Sequence, residues 1–541
     1  MNFKSYNFPF QKPRNEQIEA IDKAIETLIN SDKRFFVLEA GTGVGKSAIA
    51  VTVAREIEER CNPGNYLPGS YFITTQKLLQ NQYIKDFGAC NKPVLNLMGS
   101  VNYTCSHNKK INCSEGLRAL KTMPKNDPMF IKCTRNCVYK NAKETFLKGR
   151  FGITNFSYFL AETNYAGKLE PRQLLVVDEA HNIEDELSRF VEISISENFA
   201  SKVLKLRFPE LGTQFKAHKW VKETYLPKLV SYYKHMEKMI EKLIGDASKL
   251  KQFEQVAKQF DLVDKHLCKI NRFLEVYNKE NWVFNDVPEN NRSSRKLEFK
   301  PIDISVFSES ILFNRGEKVL LMSATILNKQ AFCESLGIAD DDCEFLHIPS
   351  PFPVENHPIN VIPVGSMGSR SIEQTLPNLA FVVKEILKEH KGQKGIIHAH
   401  TYRIAKYLKN NIRGYKILIH DSFDREEVLE KHINSKEPTI LLSPSMAEGV
   451  DLKDDASRFQ IICKVPYPFL GDKLVKKRMN KWKWWYPLQT AKKIVQSVGR
   501  SIRNEKDHAD TYILDGDWVK FYNRNKNLFP KEFRDSIKES L

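Results

Sequence analysis

Residues 35–59 read FFVLEAGTGVGKSAIAVTVAREIEE, an apolar run followed by a glycine-rich turn and then a helical pattern. A strand that leads through a loop into a helix is the repeating unit of a parallel α/β sheet. The turn matches the phosphate-binding pattern GxxxxGK[ST], except that Ala40 replaces its first glycine. Glycines let backbone N–H groups approach phosphates, and a helix N-terminus adds positive potential. The stretch predicts a nucleotide site, the alternative being a chance glycine-rich turn.

Strand-like apolar runs followed by polar turns recur in two groups. The first group covers residues 35–40, 174–180 and 318–325. The second group covers residues 394–400, 415–420, 439–444, 459–465 and 510–515. Two such groups predict an α/β fold with two parallel-sheet domains that divide near residue 340.

Between residues 182 and 318 the apolar spacing becomes helical. One series runs through Leu226, Leu229, Tyr233, Met236, Ile240 and Leu243, and a second through Phe253, Val256, Phe260, Val263, Leu267, Ile270, Leu274 and Tyr277. A polar break at 246–248 separates them, which predicts an antiparallel helical hairpin. The polar stretch 285–300 is predicted to be a loop.

The residues Asp178-Glu179-Ala180-His181 close the apolar run at 174–177. A carboxylate at such a strand end can hold Mg²⁺, and its neighbour can polarise an attacking water. Alone, these residues are equally consistent with a surface turn or a helix cap. Together with the phosphate loop they predict a site for ATP hydrolysis.

Polar residues far apart in the chain are candidates to complete this site. Gln17 opens a helical pattern, and its amide offers the donor and acceptor that an adenine edge requires. Gln496 is followed by Arg500 and Arg503, whose spacing places both guanidinium groups on one helix face. Planar guanidinium groups suit the charge of a phosphoryl-transfer transition state. The alternatives are a solvated glutamine and a structural arginine pair.

Four of the ten cysteines, Cys105, Cys113, Cys133 and Cys137, lie within 33 residues. Clustered cysteines in a polar stretch are poor core material, so the cluster predicts a metal site rather than packing. The spacing leaves the metal open. Zinc ribbons usually contain CxxC pairs, which are absent here, and four thiolates also hold a [4Fe–4S] cluster.

The charge of the chain favours a polyanionic partner over a merely soluble surface. The net charge is +17, and residues 99–150 contain 11 Lys and Arg against 3 Asp and Glu. No apolar run approaches the roughly 18 residues of a membrane span. The first residues contain no apolar signal region. We therefore expect a soluble intracellular protein, cytoplasmic or nuclear, that binds nucleic acid and no membrane.

A second basic stretch, residues 476–478, precedes Trp482, Trp484 and Trp485. These tryptophans could stack on bases or pack in a core, and packing is the favoured interpretation because buried tryptophan is the commoner use.

An ordered series of motifs resembles the superfamily two helicases of the DinG/XPD (Rad3-like) group. The series is PRNEQ (13–17), EAGTGVGKS (39–47), NYTC (102–105), CVY (137–139), TNFSY (154–158), VVDEAHN (176–182), LMSATI (321–326), SPFPVEN (350–356), SMAEGVDL (445–452), VPYPFLGDKLVKKR (465–478) and QSVGRSIR (496–503). Each match is weak alone, but the order is that of the family and spans nearly the whole chain.

The resemblance implies two RecA-like motor domains with an inserted iron–sulfur cluster domain and a helical arch domain. The implied boundaries are 1–98, 151–194 and 304–339 for the first motor domain, 99–150 for the cluster domain, 195–303 for the arch and 340–541 for the second motor domain.

The resemblance also implies roles for single residues. Catalytic roles fall on Lys46, Asp178, Glu179, Gln496, Arg500 and Arg503. Nucleotide contacts fall on Gln17, Gly41, Thr42, Gly43, Gly45, Lys46, Ser47, Gly449 and Asp451. Ser47 and Asp178 would hold Mg²⁺, and Ser323-Ala324-Thr325 would couple ATP hydrolysis to domain motion. The four clustered cysteines would hold a [4Fe–4S] cluster.

The expected activity is that of an ATP-dependent DNA helicase. The resemblance implies a monomer that translocates 5′-to-3′ on single-stranded DNA and unwinds junctions with duplex DNA. An RNA or DNA–RNA hybrid helicase or translocase is an open alternative. A nucleotide-gated nucleic-acid-binding protein is another, although the complete set of catalytic residues argues against it.

Overall fold

The computed structural model describes residues 6–538 except 76, 107–108, 121–125, 244–246, 291–292, 422–423, 445–451, 453, 500 and 503–506. The strands are β1 (Phe35–Ala40), β2 (Leu67–Thr74), β3 (Val94–Leu97), β4 (Phe151–Asn155), β5 (Arg172–Asp178), β6 (Ile193–Ser196), β7 (Trp282–Val287), β8 (Lys296–Pro301), β9 (Gly316–Ser323), β10 (Cys343–Ile348), β11 (Ile359–Val361), β12 (Gly395–His398), β13 (Lys416–Ile419), β14 (Thr439–Ser443), β15 (Phe459–Ile462), β16 (Asp510–Ile513) and β17 (Ile537–Lys538).

The α-helices are α1 (Asn15–Leu28), α2 (Lys46–Arg60), α3 (Lys77–Phe87), α4 (Cys113–Ala119), α5 (Pro128–Arg135), α6 (Val138–Lys148), α7 (Phe156–Ala161), α8 (Ile183–Val191), α9 (Gln214–Trp220), α10 (Leu226–Leu243), α11 (Leu250–Val276), α12 (Ser305–Ile311), α13 (Lys329–Leu336), α14 (Ile372–Glu389), α15 (Tyr402–Asn411), α16 (Arg425–Asn434), α17 (Lys473–Lys481), α18 (Trp485–Val498), α19 (Asp517–Asn525) and α20 (Lys531–Asp535). Among the described helices, none combines the length and the apolar character that crossing a bilayer requires.

The first sheet has seven parallel strands in the order β10-β1-β9-β5-β2-β4-β3. It contains the three strands predicted from the first group of apolar runs. Strands β1 and β5 are buried along their whole length because helices cover both faces of the sheet. The carboxyl ends of β1, β9 and β5 lie side by side, so the loops that follow them meet at one edge.

The division between the two sheets lies later in the chain than predicted. Strand β10, residues 343–348, pairs in parallel with β1 and belongs to the first sheet, so the predicted boundary at 340 is too early. Its sequence, CEFLHI, interrupts the apolar pattern with Glu344 and His347. An edge strand is covered less completely than a central one, so it tolerates such polar residues.

The second sheet also has seven parallel strands, in the order β13-β14-β12-β15-β16-β11-β17. All five strands predicted from the second group of apolar runs are present. The two strands that the sequence did not predict, β11 and β17, have three and two residues. Such short strands carry too little periodicity to be detected.

The predicted helical hairpin is confirmed by α10 and α11, which pack against each other. The rings of Tyr233 and Phe260 are in tilted contact with centroids 4.9 Å apart, and Met236 and Phe253 are buried between the helices. The prediction of a loop over residues 285–300 is wrong at both ends. Strands β7 and β8 pair antiparallel there, and β8 also pairs with β6. The polar residues of β8 alternate with buried Leu297 and Phe299, as in a half-buried strand.

The side chain of Arg478 fastens α17 to α8 and to the segment after β8. It is 4% exposed and forms an ion pair with Glu184 at 2.7 Å. Its Nε donates to the carbonyl oxygen of Ile302 at 2.9 Å, and its guanidinium lies 5.7 Å from the ring centroid of Trp485. Trp482 and Trp485 are also buried, which confirms for both the packing interpretation of these tryptophans.

We expect Arg478→Met to lower the free energy of unfolding by about 3–5 kcal/mol, because it leaves the carboxylate of Glu184 half-buried without its partner. Thermal or urea denaturation measures the effect. Lys477→Met, at the exposed neighbouring position, is the matched control and should leave stability unchanged. Equal stability of the two variants would contradict the structural role of Arg478.

Candidate active site between the two sheets

The phosphate loop connects β1 to α2 at the carboxyl edge of the first sheet. Gly43 and Gly45 have φ values of 89° and 86°, a left-handed conformation that glycine adopts without strain. Gly45 immediately precedes α2, so the loop ends at the helix N-terminus. The Nζ of Lys46 donates to the carbonyl oxygen of Ala40 at 3.0 Å and so lies over the loop. The loop has the form that phosphate binding requires.

Gln17 and Arg14 hold this loop from α1. The Nε2 of Gln17 donates to the carbonyl oxygen of Val44 at 2.9 Å, and its Oε1 accepts from the backbone N–H of Arg14 at 3.0 Å. Arg14 donates to the carbonyl oxygens of Gly43 at 2.6 Å and Val44 at 2.9 Å. Both polar atoms of the Gln17 amide therefore have partners within the protein, and contact with adenine stays a prediction. The role of Arg14 was not predicted, although it lies in the PRNEQ motif.

Asp178 is the last residue of β5 and Glu179 follows it, two strands away from β1 and the phosphate loop. Burial raises the pKa of Asp178 to about 6, with a further contribution from Glu179, while Lys46 opposes the shift. Two donors fix this carboxylate: the hydroxyl of Tyr83 at 3.2 Å and the backbone N–H of Glu179 at 3.0 Å. Tyr83, on α3, was not predicted as a site residue. Tyr83 lies 95 positions from Asp178 along the chain, so no local sequence pattern indicated the contact.

The backbone of Glu179 is strained. Its φ of 58° lies in the left-handed region, where a residue with a side chain is disfavoured by about 1–3 kcal/mol. Such conformations persist where the surrounding structure imposes them, and they concentrate at functional sites. The turn directs Glu179 away from the strand, and its carboxylate reaches His181 at 3.3 Å.

A chain of hydrogen bonds connects the DEAH residues to the second sheet. The Nδ1 of His181 lies 2.8 Å from the Oγ of Ser323, which accepts from the backbone N–H of Thr325 at 3.0 Å. The Nε2 of Gln496, on α18, donates to the Oγ1 of Thr325 at 3.1 Å. Gln496 is 8% exposed. The structure thus brings one predicted residue of the second domain onto the first.

Four of the predicted site residues lie outside the described residues: Gly449, Asp451, Arg500 and Arg503. Their roles stay predictions.

The segment that joins the two sheets lies on the phosphate loop. The Oγ of Ser350 donates to the carbonyl oxygen of Thr42 at 2.9 Å. A Cβ added at Gly43 would lie 2.3 Å from the ring of Phe352, and one at Gly41 would lie 2.5 Å from the backbone of Ser350. Both distances are shorter than atoms can approach. These glycines are therefore required by the interdomain segment as well as by the phosphate-binding shape.

The four clustered cysteines line one small cavity together with Leu117 and Leu120. Their relative exposures are 4% for Cys105, 3% for Cys113, 5% for Cys133 and 7% for Cys137. A Cβ at Gly116 would lie 3.0 Å from the Sγ of Cys105, so the glycine leaves room at the cavity wall. Burial and the neighbouring thiols raise the pKa of Cys133 to about 11.

Whether the cysteine cavity suits a metal depends on how its side chains are arranged. Within the described parts of the chain, no group of three or more His, Cys, Asp or Glu side chains is arranged to hold a single metal ion. Four thiols that share one cavity nevertheless fit a group bound through several sulfur atoms.

The basic residues around this cavity differ in their contacts. Arg118 forms an ion pair with Asp261 of α11 at 3.3 Å and so ties the cysteine region to the helical hairpin. Lys109, Lys110 and Arg135 are exposed. A polyanion can reach these exposed side chains.

Two family models match the chain. The model described as type III restriction enzyme, res subunit, matches residues 10–208, and the model described as helicase C-terminal domain matches residues 394–536. The first match contains the phosphate loop and the DEAH residues, and the second contains Gln496.

Relatives similar to this chain are described as helicases. "Probable ATP-dependent helicase MJ0942" of Methanocaldococcus jannaschii is 24% identical, over 98% of this chain and 97% of the relative. "ATP-dependent DNA helicase YoaA" of Haemophilus influenzae is 20% identical, over 94% of this chain and 92% of the relative. "ATP-dependent DNA helicase DinG" of Photobacterium profundum is 26% identical, over 40% of this chain and 34% of the relative.

Solved structures of XPD helicases have the same fold. One matches with a TM-score of 0.64 and 16% identity, covering 96% of this chain and 99% of that structure. The structure of Xpd4 from S. tokodaii matches with a TM-score of 0.58 and 15% identity, covering 98% of this chain and all of that structure.

We expect Lys46→Ala to abolish ATP hydrolysis while leaving nucleic-acid binding largely intact, because only the phosphate loop loses its cation. Phosphate release and fluorescence anisotropy of a labelled oligonucleotide measure the two properties. Lys409→Ala, at an exposed position of α15, is the control and should retain activity. ATP turnover that survives in Lys46→Ala would contradict the assignment of the phosphate loop.

Proposed function

We propose that this chain, an ATP-dependent helicase of the Rad3/XPD/DinG family, acts on DNA and moves 5′-to-3′ along one strand. The observation that supports an ATP site shared by both domains is the contact between Gln496 and Thr325. It joins the second sheet to the element that follows β9, directly beside the DEAH residues.

The proposed reaction uses both sheets. Lys46 would neutralise the β and γ phosphates. Ser47 and Asp178 would hold Mg²⁺, which when bound supplies positive charge at the phosphates. Glu179 orients and deprotonates the attacking water. Arg500 and Arg503 are proposed to reach the γ-phosphate from the second domain. Because the site needs both domains, ATP binding closes it and product release opens it. This movement drives translocation.

The choice of DNA rests on relatives and on charge. Two of the relatives reported above are described as DNA helicases. Lys109, Lys110 and Arg135 form an exposed basic group beside the cysteine cavity. Such groups contact the phosphate backbone without reading sequence, and their affinity falls as salt rises. We infer a monomer because both halves of the ATP site lie in one chain.

We also propose that Cys105, Cys113, Cys133 and Cys137 hold a [4Fe–4S] cluster within a cluster domain of residues 99–150. When bound, the cluster ties together segments of chain separated by up to 32 positions through sulfur–iron bonds. The chain's own contribution is the buried cavity, which keeps solvent from the four sulfur atoms. The helical hairpin is proposed to form the arch, residues 195–303, and the pair Arg118–Asp261 holds it against the cluster domain.

The substrate is tested by measuring ATP turnover with single-stranded DNA and with single-stranded RNA, and unwinding of duplexes with a 5′ or a 3′ tail. We expect DNA to stimulate turnover more than RNA, and only duplexes with a 5′ tail to be unwound. Lys46→Ala is the inactive control. Equal or stronger stimulation by RNA would contradict the DNA assignment, and unwinding from 3′ tails would contradict the polarity.

The cluster is tested by anaerobic purification followed by measurement of iron, acid-labile sulfide, zinc and visible absorbance. We expect iron and sulfide in the wild-type protein and loss of both in Cys133→Ser, together with loss of unwinding. Cys268→Ser, in the helical hairpin, is the control and should retain the cluster. Stoichiometric zinc without sulfide would show a zinc site instead.

A further inference from the structure

The carboxylate of Glu39 joins two elements of the first domain. Glu39 is the second-to-last residue of β1 and is 4% exposed. Its Oε1 accepts from the backbone N–H groups of Ile326 at 2.6 Å and Leu327 at 2.7 Å. Its Oε2 lies 3.0 Å from the Nδ1 of His347. The parallel register places Glu39 opposite His347 on β10 and Ser323 on β9, so one side chain reaches both neighbours.

The turn held by Glu39 is strained and reaches the second domain. Leu327 has a φ of 65°, in the left-handed region that a leucine rarely adopts. The two hydrogen bonds that the backbone N–H groups of Ile326 and Leu327 donate to Glu39 stabilise this conformation. The side chain of Leu327 packs against an apolar cluster of the second domain that includes Ile359 and Trp518. The strained turn is therefore a contact between domains as well as the end of the element that contains Thr325.

His347 extends the connection to α20. Its Nε2 lies 3.5 Å from the Oε1 of Glu532, and α20 is anchored in the second domain by Phe533, which stacks on Phe529. The imidazole thus lies between carboxylates of the two domains. Its hydrogen bond to Glu39, and then its contact with Glu532, raise the pKa of His347 to about 10, so the ring is positively charged at neutral pH.

We propose that His347 is a positioning residue for ATP turnover, which transmits movement of the second domain through Glu532 to Glu39 and so to the phosphate loop and the 326–327 turn. The proposal rests on the ATPase activity of the family and requires neither the DNA substrate nor the cluster. It adds a second path between the domains, separate from the Gln496–Thr325 contact. The contact of Gln496 meets the element after β9 at Thr325. The path through Glu532 and His347 reaches Glu39, next to the phosphate loop.

A purely structural ion pair is the alternative, and the two contacts of His347 allow the two cases to be separated. The amide nitrogen of asparagine takes the position of the imidazole Nδ1, so His347→Asn keeps a donor for Glu39 and loses the contact with Glu532. The amide of glutamine takes the position of Nε2, so His347→Gln keeps a donor for Glu532 and loses that for Glu39. Glu532→Gln removes the charge on the second domain alone.

The experiment measures basal and nucleic-acid-stimulated ATP turnover of the full-length protein with single-stranded DNA and with RNA. We expect His347→Asn and Glu532→Gln to reduce the stimulated kcat about fivefold or more. The ratio of stimulated to basal turnover should fall by the same factor in both variants, whereas a purely structural role would lower basal and stimulated turnover together. We expect His347→Gln to raise KM for ATP as well, because Glu39 loses its partner beside the phosphate loop.

The double variant His347→Asn/Glu532→Gln should lose no more stimulated turnover than either single variant, because both changes remove the same contact, that between His347 and Glu532. Asp535→Asn, an exposed position on the same short helix, is the matched control and should keep full stimulation. Full stimulation in the single variants would overturn the proposal. Equal losses of basal and stimulated turnover with a lower Tm would also overturn it, in favour of a structural pair.

The outcomes separate this inference from the proposed function. Stimulation of the wild-type protein by RNA alone would end the DNA assignment but would still show whether the His347 variants lose that stimulation. Stimulation by DNA that the variants retain would end this inference alone. A wild-type protein stimulated by neither polymer would overturn both.

Discussion

The parallel pairing of β1, β9 and β5 is the constraint on which the rest of the structure depends. In a parallel sheet, neighbouring strands end at the same edge, so the loops after them are brought together whatever their separation in sequence. The phosphate loop, the element after β9 and the DEAH residues come from positions 41, 324 and 179, yet they form one site. Every side-chain contact of the site, from Tyr83 on Asp178 to Gln496 on Thr325, depends on that edge.

Buried charge is the second organising feature, and the buried side chains of Asp178, Glu39 and Arg478 all have partners. The carboxylate of Asp178 accepts from Tyr83 and from the backbone, and that of Glu39 accepts from two backbone groups and from His347. The guanidinium of Arg478 has Glu184 and backbone carbonyl oxygens. A buried charge without such partners would destabilise the fold by several kcal/mol. These partners therefore fix both where the domains meet and how the catalytic groups point.

The two domains meet at several points with different chemistry. The Gln496–Thr325 hydrogen bond and the packing of Leu327 lie at the element after β9. The Ser350 contact lies on the phosphate loop. The ion pair of His347 with Glu532 starts from β10, which pairs with β1. Each of them connects the second domain to an element of the first domain that lies at or beside the phosphate loop or the DEAH residues. A change of domain arrangement must break or rearrange these contacts.

The local pattern of the chain was enough to identify both sheets, the phosphate loop, the DEAH turn and the helical hairpin. Each of these is encoded by residues near one another: an apolar run, a glycine-rich turn or apolar residues at helical spacing. The clustered cysteines were recognised for the same reason. The sequence pattern predicted three of the seven strands of the first sheet and missed β2, β3, β4 and β10, and it predicted a loop where β7 and β8 pair. In β10 and β8 charged residues interrupt the apolar ones, which hid the strands.

Contacts between distant residues depended on the folded chain. Tyr83 reaches Asp178, Arg14 reaches the phosphate loop and His347 joins Glu39 to Glu532, across separations of 29 to 308 positions. No local sequence pattern around a tyrosine on a helix or a histidine on a strand indicates which distant residue it will contact. Hydrophobic periodicity depends on neighbours in sequence, whereas hydrogen bonds and ion pairs depend on neighbours in space. The chain therefore specifies its elements locally, and strand order and register select which side chains meet.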